Sequence, residues 1–296
     1  MNDKQKAFTA VLLIILIGAG TPPITKIGLF EIPPLSFAFI RFVLASFLIL
    51  PFFLIKKRSF RKDFKRLVLV SLLATGNIIF FVLGIKLTTA NISQLIYAGV
   101  PIITAFILYG GFGQKLSPRN IFGIALGFIA TLIILLLPIL ERGEKFAGDL
   151  RGNVFLLIAV VMYSLYVVFT KRLLNKYSPF EISSIFIFVT TIALLPFFIF
   201  DLSTKTRWWE SIAISGSLSM IYVVLFTTIA SYVLNQYAIK HGGVVFYSMV
   251  FYLTPFFGFL AAFLLLGERL TPGLITGAIF VLLGTYIATK GKTDKI

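Results

Sequence analysis

The sequence predicts an all-α polytopic membrane protein whose ten transmembrane helices form two inverted five-helix repeats. Its composition is too apolar for a soluble chain of this length, since 58% of the 296 residues are hydrophobic and the mean hydropathy is +1.00. Uncharged runs of about 18 residues or more recur along the chain, as membrane-spanning helices require. The regular alternation of polar and apolar residues that marks a membrane β-barrel is absent, so the spans are predicted to be helical.

Landmark residues of the first half recur in the second half, which indicates an internal duplication. The matches fall on Pro, Gly and charged residues, where chance agreement is least expected. They pair Thr25-Lys26 with Thr170-Lys171, Leu50-Pro51-Phe52-Phe53 with Leu195-Pro196-Phe197-Phe198, Ile85-Lys86 with Ile239-Lys240, Pro101 with Pro255, and Gly113 to Pro118 with Gly267 to Pro272. The sequence therefore predicts a first repeat over residues 1–140 and a second over 141–296.

Ten apolar stretches separated by short connections are the predicted spans. They are 7–29, 34–55, 66–87, 91–113, 119–138, 152–174, 179–200, 211–238, 242–266 and 272–290. Because each repeat holds an odd number of spans, the second copy must enter the membrane from the opposite side. Inverted repeats of this kind are typical of secondary transporters, which bind substrate near the midplane where the copies meet.

The distribution of Lys and Arg predicts the orientation. The connection between the second and third spans carries Lys56, Lys57, Arg58, Arg61 and Lys62, and the C-terminal tail is also basic. Cytoplasmic loops are enriched in Lys and Arg, so both termini are predicted to be cytoplasmic in a multi-pass plasma-membrane (inner-membrane) protein. No small-residue cleavage site follows the first apolar run, so this run is expected to be retained as a span.

Several function classes are disfavoured by the residue types present. The net charge of +16 is explained by cytoplasmic loops, and nucleic-acid binding is not expected. The chain has no Cys and one His, so no metal site, no cofactor and no catalytic residue are predicted, and the protein is not expected to be an enzyme. The expected partners are a small-molecule substrate and the lipid bilayer, with the protein a monomer or homodimer.

Several segments with glycine and charged residues also resemble a known family. The segments that carry the resemblance are Gly18-Ala19-Gly20, Arg41-Phe42, Gly113-Gln114-Lys115-Leu116-Ser117 and Gly267-Glu268-Arg269-Leu270-Thr271. They are similar to the ten-span EamA-domain branch of the drug/metabolite transporter superfamily. The resemblance implies the ten-span fold and transport of amino acids, other metabolites, nucleotide sugars or drugs. Gln114 departs from the Glu of that pattern, so we assign no function to a carboxylate at the end of the fourth span.

Polar residues at helical spacing predict a shared cavity between the repeats. Amides in mid-membrane need partners or water, whereas a single Ser or Thr hydroxyl often bonds its own backbone or a neighbouring helix. The predicted substrate-binding residues are Thr21, Thr25, Arg41, Asn77, Gln94, Tyr97, Tyr163, Tyr166, Ser231, Asn235, Ser248 and Tyr252. Pro101 and Pro255 are predicted hinges, although each kink could be static, and Thr21-Pro22-Pro23 is expected to interrupt the first span.

The sequence is compatible with two roles for Arg41. Arg41 could bind backbone carbonyl groups that Pro22 and Pro23 leave without helical partners, or it could receive an anionic group of the substrate. The sequence therefore predicts a carrier, exporter or facilitator, for small polar or amphipathic metabolites by alternating access. Amino acids are favoured; a membrane channel and a drug- or nucleotide-sugar-type carrier are the alternatives.

Overall fold

The structure is a computed structural model that describes residues 3–55, 63–112, 117–204, 207–247 and 250–289. Within these ranges the regular structure is helical. The α-helices are α1 (Asp3–Glu31), α2 (Pro34–Ile55), α3 (Phe64–Leu87), α4 (Ala90–Ala98), α5 (Val100–Phe112), α6 (Pro118–Leu140), α7 (Leu150–Leu173), α8 (Pro179–Thr204), α9 (Ile214–Tyr222), α10 (Ser231–Tyr247), α11 (Val250–Leu266) and α12 (Pro272–Thr289). A π-helical segment, Val223–Ala230, joins α9 to α10, and a short 3₁₀ turn covers Trp208–Glu210.

These helices account for the ten expected spans. The fourth span consists of α4 and α5, and the eighth consists of α9, the π-helical segment and α10. Among the described residues, eight helical stretches are long and apolar enough to cross a bilayer, and α11 and α12 supply two shorter apolar helices. The predicted all-α polytopic membrane fold is confirmed, with span ends that shift by a few residues. The eighth span ends at Gly243, whose φ of 79° breaks α10, so residues 244–247 belong to the start of the ninth span.

The helices pack in a pseudo-symmetric pattern. In the first half α1 packs against α10 and α11 of the second half, and in return α7 of the second half packs against α3, α4 and α5. Other cross-half pairs join corresponding spans, among them α2 with α8, α4 with α11 and α6 with α12. This exchange pattern is the one that two related halves would make. The boundary between the repeats, at residue 140, coincides with the end of α6 and stays a prediction.

Small residues bring α6 and α12 into backbone contact. A Cβ atom built on Gly123 would lie 2.3 Å from the backbone nitrogen of Ala288, and one on Gly284 would lie 2.4 Å from that of Gly127. Membrane helices commonly pack closely at glycine, because in lipid no hydrophobic driving force brings helices together and association depends on van der Waals contact. None of these four residues lines the central cavity described below. The α6–α12 pair therefore joins the two halves away from the site.

The prolines of the first, fourth and ninth spans differ in their effect on the helices, and the hinge roles of Pro101 and Pro255 stay predictions. The fourth span breaks at Gly99, and Pro101 is the second residue of α5, where its missing N–H needs no partner. Pro255 lies inside α11, which continues through it. The expected interruption at Thr21-Pro22-Pro23 is wrong, because α1 runs through these residues as one helix.

A side-chain amide explains part of this continuity. The carbonyl of Ala19 would pair with the N–H of residue 23, which Pro23 lacks, and Gln94 Nε2 donates to it instead at 3.1 Å. Asn153 makes a similar bond in the second half of the fold, where its Nδ2 donates at 3.4 Å to the carbonyl of Ile134, four residues before Pro138. Neighbouring side chains commonly bond backbone groups that proline frees in membrane helices.

Candidate functional site

A cavity of about 150 Å³ lies between the two halves, near the middle of the spans. In α1 its lining runs from Ile14 to Pro22, and in α7 it includes Tyr163, both close to the centres of their helices. Eight predicted substrate-binding residues line it together with the predicted hinge Pro255: Thr21, Arg41, Asn77, Gln94, Tyr97, Tyr163, Ser231 and Asn235. The helical stripes thus converge on one space, as the spacing predicts.

Three of the predicted substrate-binding residues that the structure describes do not line the cavity. Thr25 is fully buried but does not line the cavity, and Tyr166 accepts a hydrogen bond from Gln236 Nε2 at 2.8 Å behind it. Tyr252 donates to the carbonyl of Thr285 at 2.6 Å, so its hydroxyl ties α11 to α12. Ser248 lies outside the described residues, as does Gln114.

One wall of the cavity is a network of amides and phenols. Asn77 Nδ2 donates to Tyr97 OH at 2.6 Å and to the carbonyl of Ala159 at 2.9 Å. The hydroxyl oxygens of Tyr163 and Tyr247 lie 2.5 Å from each other, and Asn235 Nδ2 donates to Tyr163 OH at 3.4 Å. Asn235 Oδ1 is buried and has no hydrogen-bond partner. A buried acceptor of this kind costs free energy until a donor meets it, so it is available to a ligand N–H or O–H.

Aromatic rings form a continuous apolar surface beside this network. The ring centroids of Phe81 and Tyr97 are 5.7 Å apart, those of Tyr97 and Tyr163 are 6.3 Å apart, and those of Tyr163 and Phe251 are 6.2 Å apart. All four rings line the cavity. Their faces and edges offer a ligand a large apolar contact, while the phenol oxygens supply hydrogen bonds at defined points. The cavity therefore suits a molecule that is polar at one part and apolar at another.

Arg41 is the one charged side chain among the described residues that line the cavity. It is 1% exposed, and its Nε donates to Thr228 Oγ1 at 3.0 Å. Its Cζ lies 5.0 Å from the centroid of the Phe42 ring. The expected contact with carbonyl groups freed by the α1 prolines is not seen among the described residues, since Gln94 makes the bond to Ala19.

The π-helical segment brings Thr227 to the cavity and Thr228 to the side chain of Arg41. Thr228 Oγ1 donates to the carbonyl of Val223, five residues earlier, at 2.8 Å, which is the spacing of a π-helix. In the same segment Thr227 reaches the cavity, where its hydroxyl is 3.0 Å from that of Thr21. Thr227 lies four residues before Ser231 and eight before Asn235, so helical spacing also places it on this face, although it is not among the predicted residues. Ser93, Tyr232, Tyr247 and Thr254 also line the cavity outside the predicted set.

A second polar cluster joins the halves at the ends of the spans, away from the cavity. Glu268, in the α11–α12 connection, accepts hydrogen bonds from the backbone N–H groups of Ala90 and Asn91 at 2.9 and 3.0 Å. Lys26 Nζ lies 3.3 Å from the same carboxylate and donates to the carbonyl of Thr88 at 2.6 Å. Glu268 is 5% exposed. Because its carboxylate accepts from the first N–H groups of α4, it caps the N-terminus of that helix from the opposite repeat. We name Lys26, Glu268 and the first turn of α4 the cap cluster.

Metal binding finds no support in the described part of the chain, where no three His, Cys, Asp or Glu side chains group together. The chemistry of the cavity is that of reversible binding: hydrogen-bond donors and acceptors, aromatic faces and one cation. No described lining residue is an acid or a histidine that could exchange a proton with a substrate.

Comparison with known proteins places the chain among transporters. A family model described as the EamA-like transporter family matches residues 5–136 and 150–290. A protein of Archaeoglobus fulgidus named "Uncharacterized transporter" is 27% identical over 98% of this chain and 98% of its own length. Proteins named "Probable amino-acid metabolite efflux pump" in Salmonella typhimurium and Escherichia coli are each 24% identical, over 98% and 97% of this chain and 96% of their own lengths.

A solved crystal structure shares the fold over almost the whole chain. It superimposes with a TM-score of 0.63 at 16% identity, and the match covers 97% of this chain and 96% of that chain. This likeness bears on the fold alone.

Proposed function

The chain belongs to the EamA-like transporter family, and on that premise we propose that it is an alternating-access carrier whose substrate binds in the central cavity. It is a multi-pass membrane transporter; the site, the substrate class and the transport mode are the proposed parts. The observation that carries the proposal is the cavity itself, which both halves line near the middle of the spans. Carriers with repeated halves place their substrate there, because the halves can then rock around a fixed site.

The proposed substrates are small polar or amphipathic metabolites, with amino acids favoured. Amides and hydroxyls can bind an ammonium and a carboxylate, and the aromatic surface can bind an apolar side chain. A cavity of about 150 Å³ has room for a molecule of about the size of benzene or somewhat larger. The names of the Salmonella and Escherichia relatives agree with this class.

Other substrate classes fit the cavity less well. A nucleotide sugar is far larger than this space and carries several negative charges, whereas Arg41 is the one described cation in the lining. A cationic drug would gain from a carboxylate, and no described lining residue supplies one. A channel would need a continuous pore with a ring of like residues, which a two-fold repeat does not favour. We propose no enzymatic role, since no arrangement of side chains among the described residues supports one.

We place the protein in the plasma membrane with both termini in the cytoplasm, as the Lys and Arg distribution predicts. The substrate and the bilayer are its proposed partners, nucleic acid is not one, and the protein acts as a monomer or homodimer. Because no described carboxylate lines the cavity, transport is proposed to follow the substrate gradient by facilitation or exchange.

Counterflow in proteoliposomes tests the proposed function. Vesicles containing the purified protein are loaded with one unlabelled amino acid at a time, and uptake of the same labelled amino acid is measured. A transient overshoot for at least one amino acid is expected, and Tyr163→Phe should reduce it because the phenol bridge to Tyr247 is lost. Equal fluxes with and without internal substrate would indicate a channel, and no flux for any amino acid would contradict the substrate class.

A further inference from the structure

The buried guanidinium of Arg41 has no anionic partner in the described structure. Its one hydrogen bond uses Nε and the neutral hydroxyl of Thr228, and the titratable groups near enough to interact with its charge are the phenols of Tyr232 and Tyr97. The described acidic side chains that are buried are engaged elsewhere, Glu268 in the cap cluster and Asp201 with Ser36 Oγ at 2.8 Å. The two Nη groups of Arg41 are left for another acceptor.

The charge is specific to one half of the fold. Arg41 is the eighth residue of α2, and the eighth residue of α8, the corresponding span, is Phe186. Phe186 is fully buried and its ring lies 4.6 Å from that of Tyr232. An apolar ring therefore fills this position well in the same fold, so the packing of the repeat does not require a cation at residue 41.

Contacts with Thr228 and Phe42 fix the orientation of the Arg41 side chain. The π-helical segment lets Thr228 donate its hydroxyl hydrogen to the carbonyl of Val223, so its oxygen lone pair is left to accept from Arg41 Nε. π-helical turns are rare and frequently occur at functional sites. Because Thr228 holds Nε and the guanidinium Cζ lies over the Phe42 ring, the two Nη donor groups of Arg41 point in a fixed direction. This geometry suits the two oxygens of one carboxylate.

Electrostatics makes an anion the missing partner. Moving a guanidinium charge out of water costs more free energy than a single neutral hydrogen bond and one aromatic contact recover. A substrate carboxylate entering the cavity would supply the counter-charge and two hydrogen-bond acceptors together. The unpartnered Oδ1 of Asn235, on the second half of the fold, would accept an N–H from the same molecule.

We propose that Arg41 is the counter-ion site for a single carboxylate on the substrate, and that Asn235 and the aromatic surface receive its amine and its apolar body. The inference rests on the proposed function and narrows it, because it requires the transported molecule to keep a free carboxylate. Thr228 is a positioning residue that acts through Arg41.

Matched pairs of ligands test this assignment on the purified full-length protein. Each amino acid is compared with its own C-terminal amide, which keeps the amine and side chain and removes the carboxylate. Binding is measured as the ligand-induced rise in unfolding temperature and by titration, in buffer without chloride. For pairs that bind the wild type, the acid should bind at least about tenfold more tightly than the amide, since a charge-assisted pair is involved.

Three variants distinguish an effect of the Arg41 charge on binding from a general effect on the fold. In Arg41→Gln the acid and the amide should bind within about twofold of each other, and in Thr228→Val the preference for the acid should be intermediate. Thr75→Val is the control, because Thr75 Oγ1 bonds Thr190 Oγ1 at 2.8 Å outside the cavity and its loss should leave the preference unchanged.

Three outcomes would overturn the inference. If the wild-type protein binds acids and amides equally, the proposed carrier function is unaffected and the proposed role of Arg41 is wrong. If chloride alone raises the unfolding temperature as much as the acids do, Arg41 is a site for any small anion. If no acid and no amide binds in the cavity, the amino-acid function fails together with the inference.

Discussion

Replacing Glu268 by Ala should destabilise the protein more than any other change to an acidic side chain that the structure describes. The carboxylate accepts from two backbone N–H groups at the start of α4 and pairs with Lys26. Its removal leaves Ala90 and Asn91 without acceptors in a buried position and leaves Lys26, 17% exposed, without its counter-charge. The halves also lose a connection between the α11–α12 loop and α4.

The magnitude follows from these losses. Breaking a buried ion pair by removing one partner typically costs about 3–5 kcal/mol, because a charge stays buried without compensation. Loss of a helix N-cap by itself costs about 1 kcal/mol, so the upper part of that range is expected when both occur. For a chain of this size a loss of this order lowers the unfolding midpoint by at least about 5 °C.

Thermal unfolding of the detergent-purified protein measures this effect. Glu210→Ala is the matched control, since Glu210 pairs with Arg207 at 3.3 Å and both side chains are more than half exposed. An exposed pair contributes about 0–1 kcal/mol, so the control should unfold close to wild type. If Glu268→Ala also unfolds with wild type and Glu210→Ala, the cap cluster does not stabilise the fold and the reasoning is refuted.

Three further expectations address the cavity and the topology. Arg41→Met should unfold at the same or a higher temperature than wild type without ligand, because an unpaired buried charge is replaced by an apolar chain; a fall of several degrees would show that Arg41 stabilises the fold. Gly258→Ala should reduce counterflow several-fold, because its Cβ would lie 2.3 Å from Gln94 Nε2, and unchanged transport would contradict the placement of Gln94. In intact cells an impermeant thiol reagent should label Glu144→Cys and spare Thr293→Cys, whereas equal labelling would contradict the inverted topology.

Much of the fold could be predicted because membrane helices obey strong one-dimensional rules. Backbone groups in lipid must bond within a helix, so long apolar runs reveal the spans directly. Polar residues are scarce in such runs, and their helical spacing brought Asn77, Gln94, Tyr163 and Asn235 to one cavity. The proline and glycine matches between the halves likewise agree with the observed packing of corresponding spans.

The remaining features depend on contacts between distant segments. The bond from Gln94 to Ala19 and the pairing of Lys26 with Glu268 each join different spans, and no local pattern specifies them. The π-helical segment, in which Thr228 Oγ1 donates to the carbonyl of Val223 five residues earlier, is likewise not specified by the regular helical period. Tyr252 does not line the cavity, and its hydroxyl donates instead to the carbonyl of Thr285 on α12.

Substrate protection of a cavity cysteine tests the central claim most directly. The chain has no native Cys, so Ser231→Cys places a single thiol, nearly isosteric with the hydroxyl it replaces, in the cavity lining. The rate at which a small thiol reagent alkylates it is measured in proteoliposomes at increasing concentrations of an amino acid that shows counterflow. Occupation of this cavity predicts saturable protection with a half-maximal concentration near that of transport. Alkylation at an unchanged rate, under conditions in which that amino acid is still transported, would place the substrate elsewhere and contradict the account.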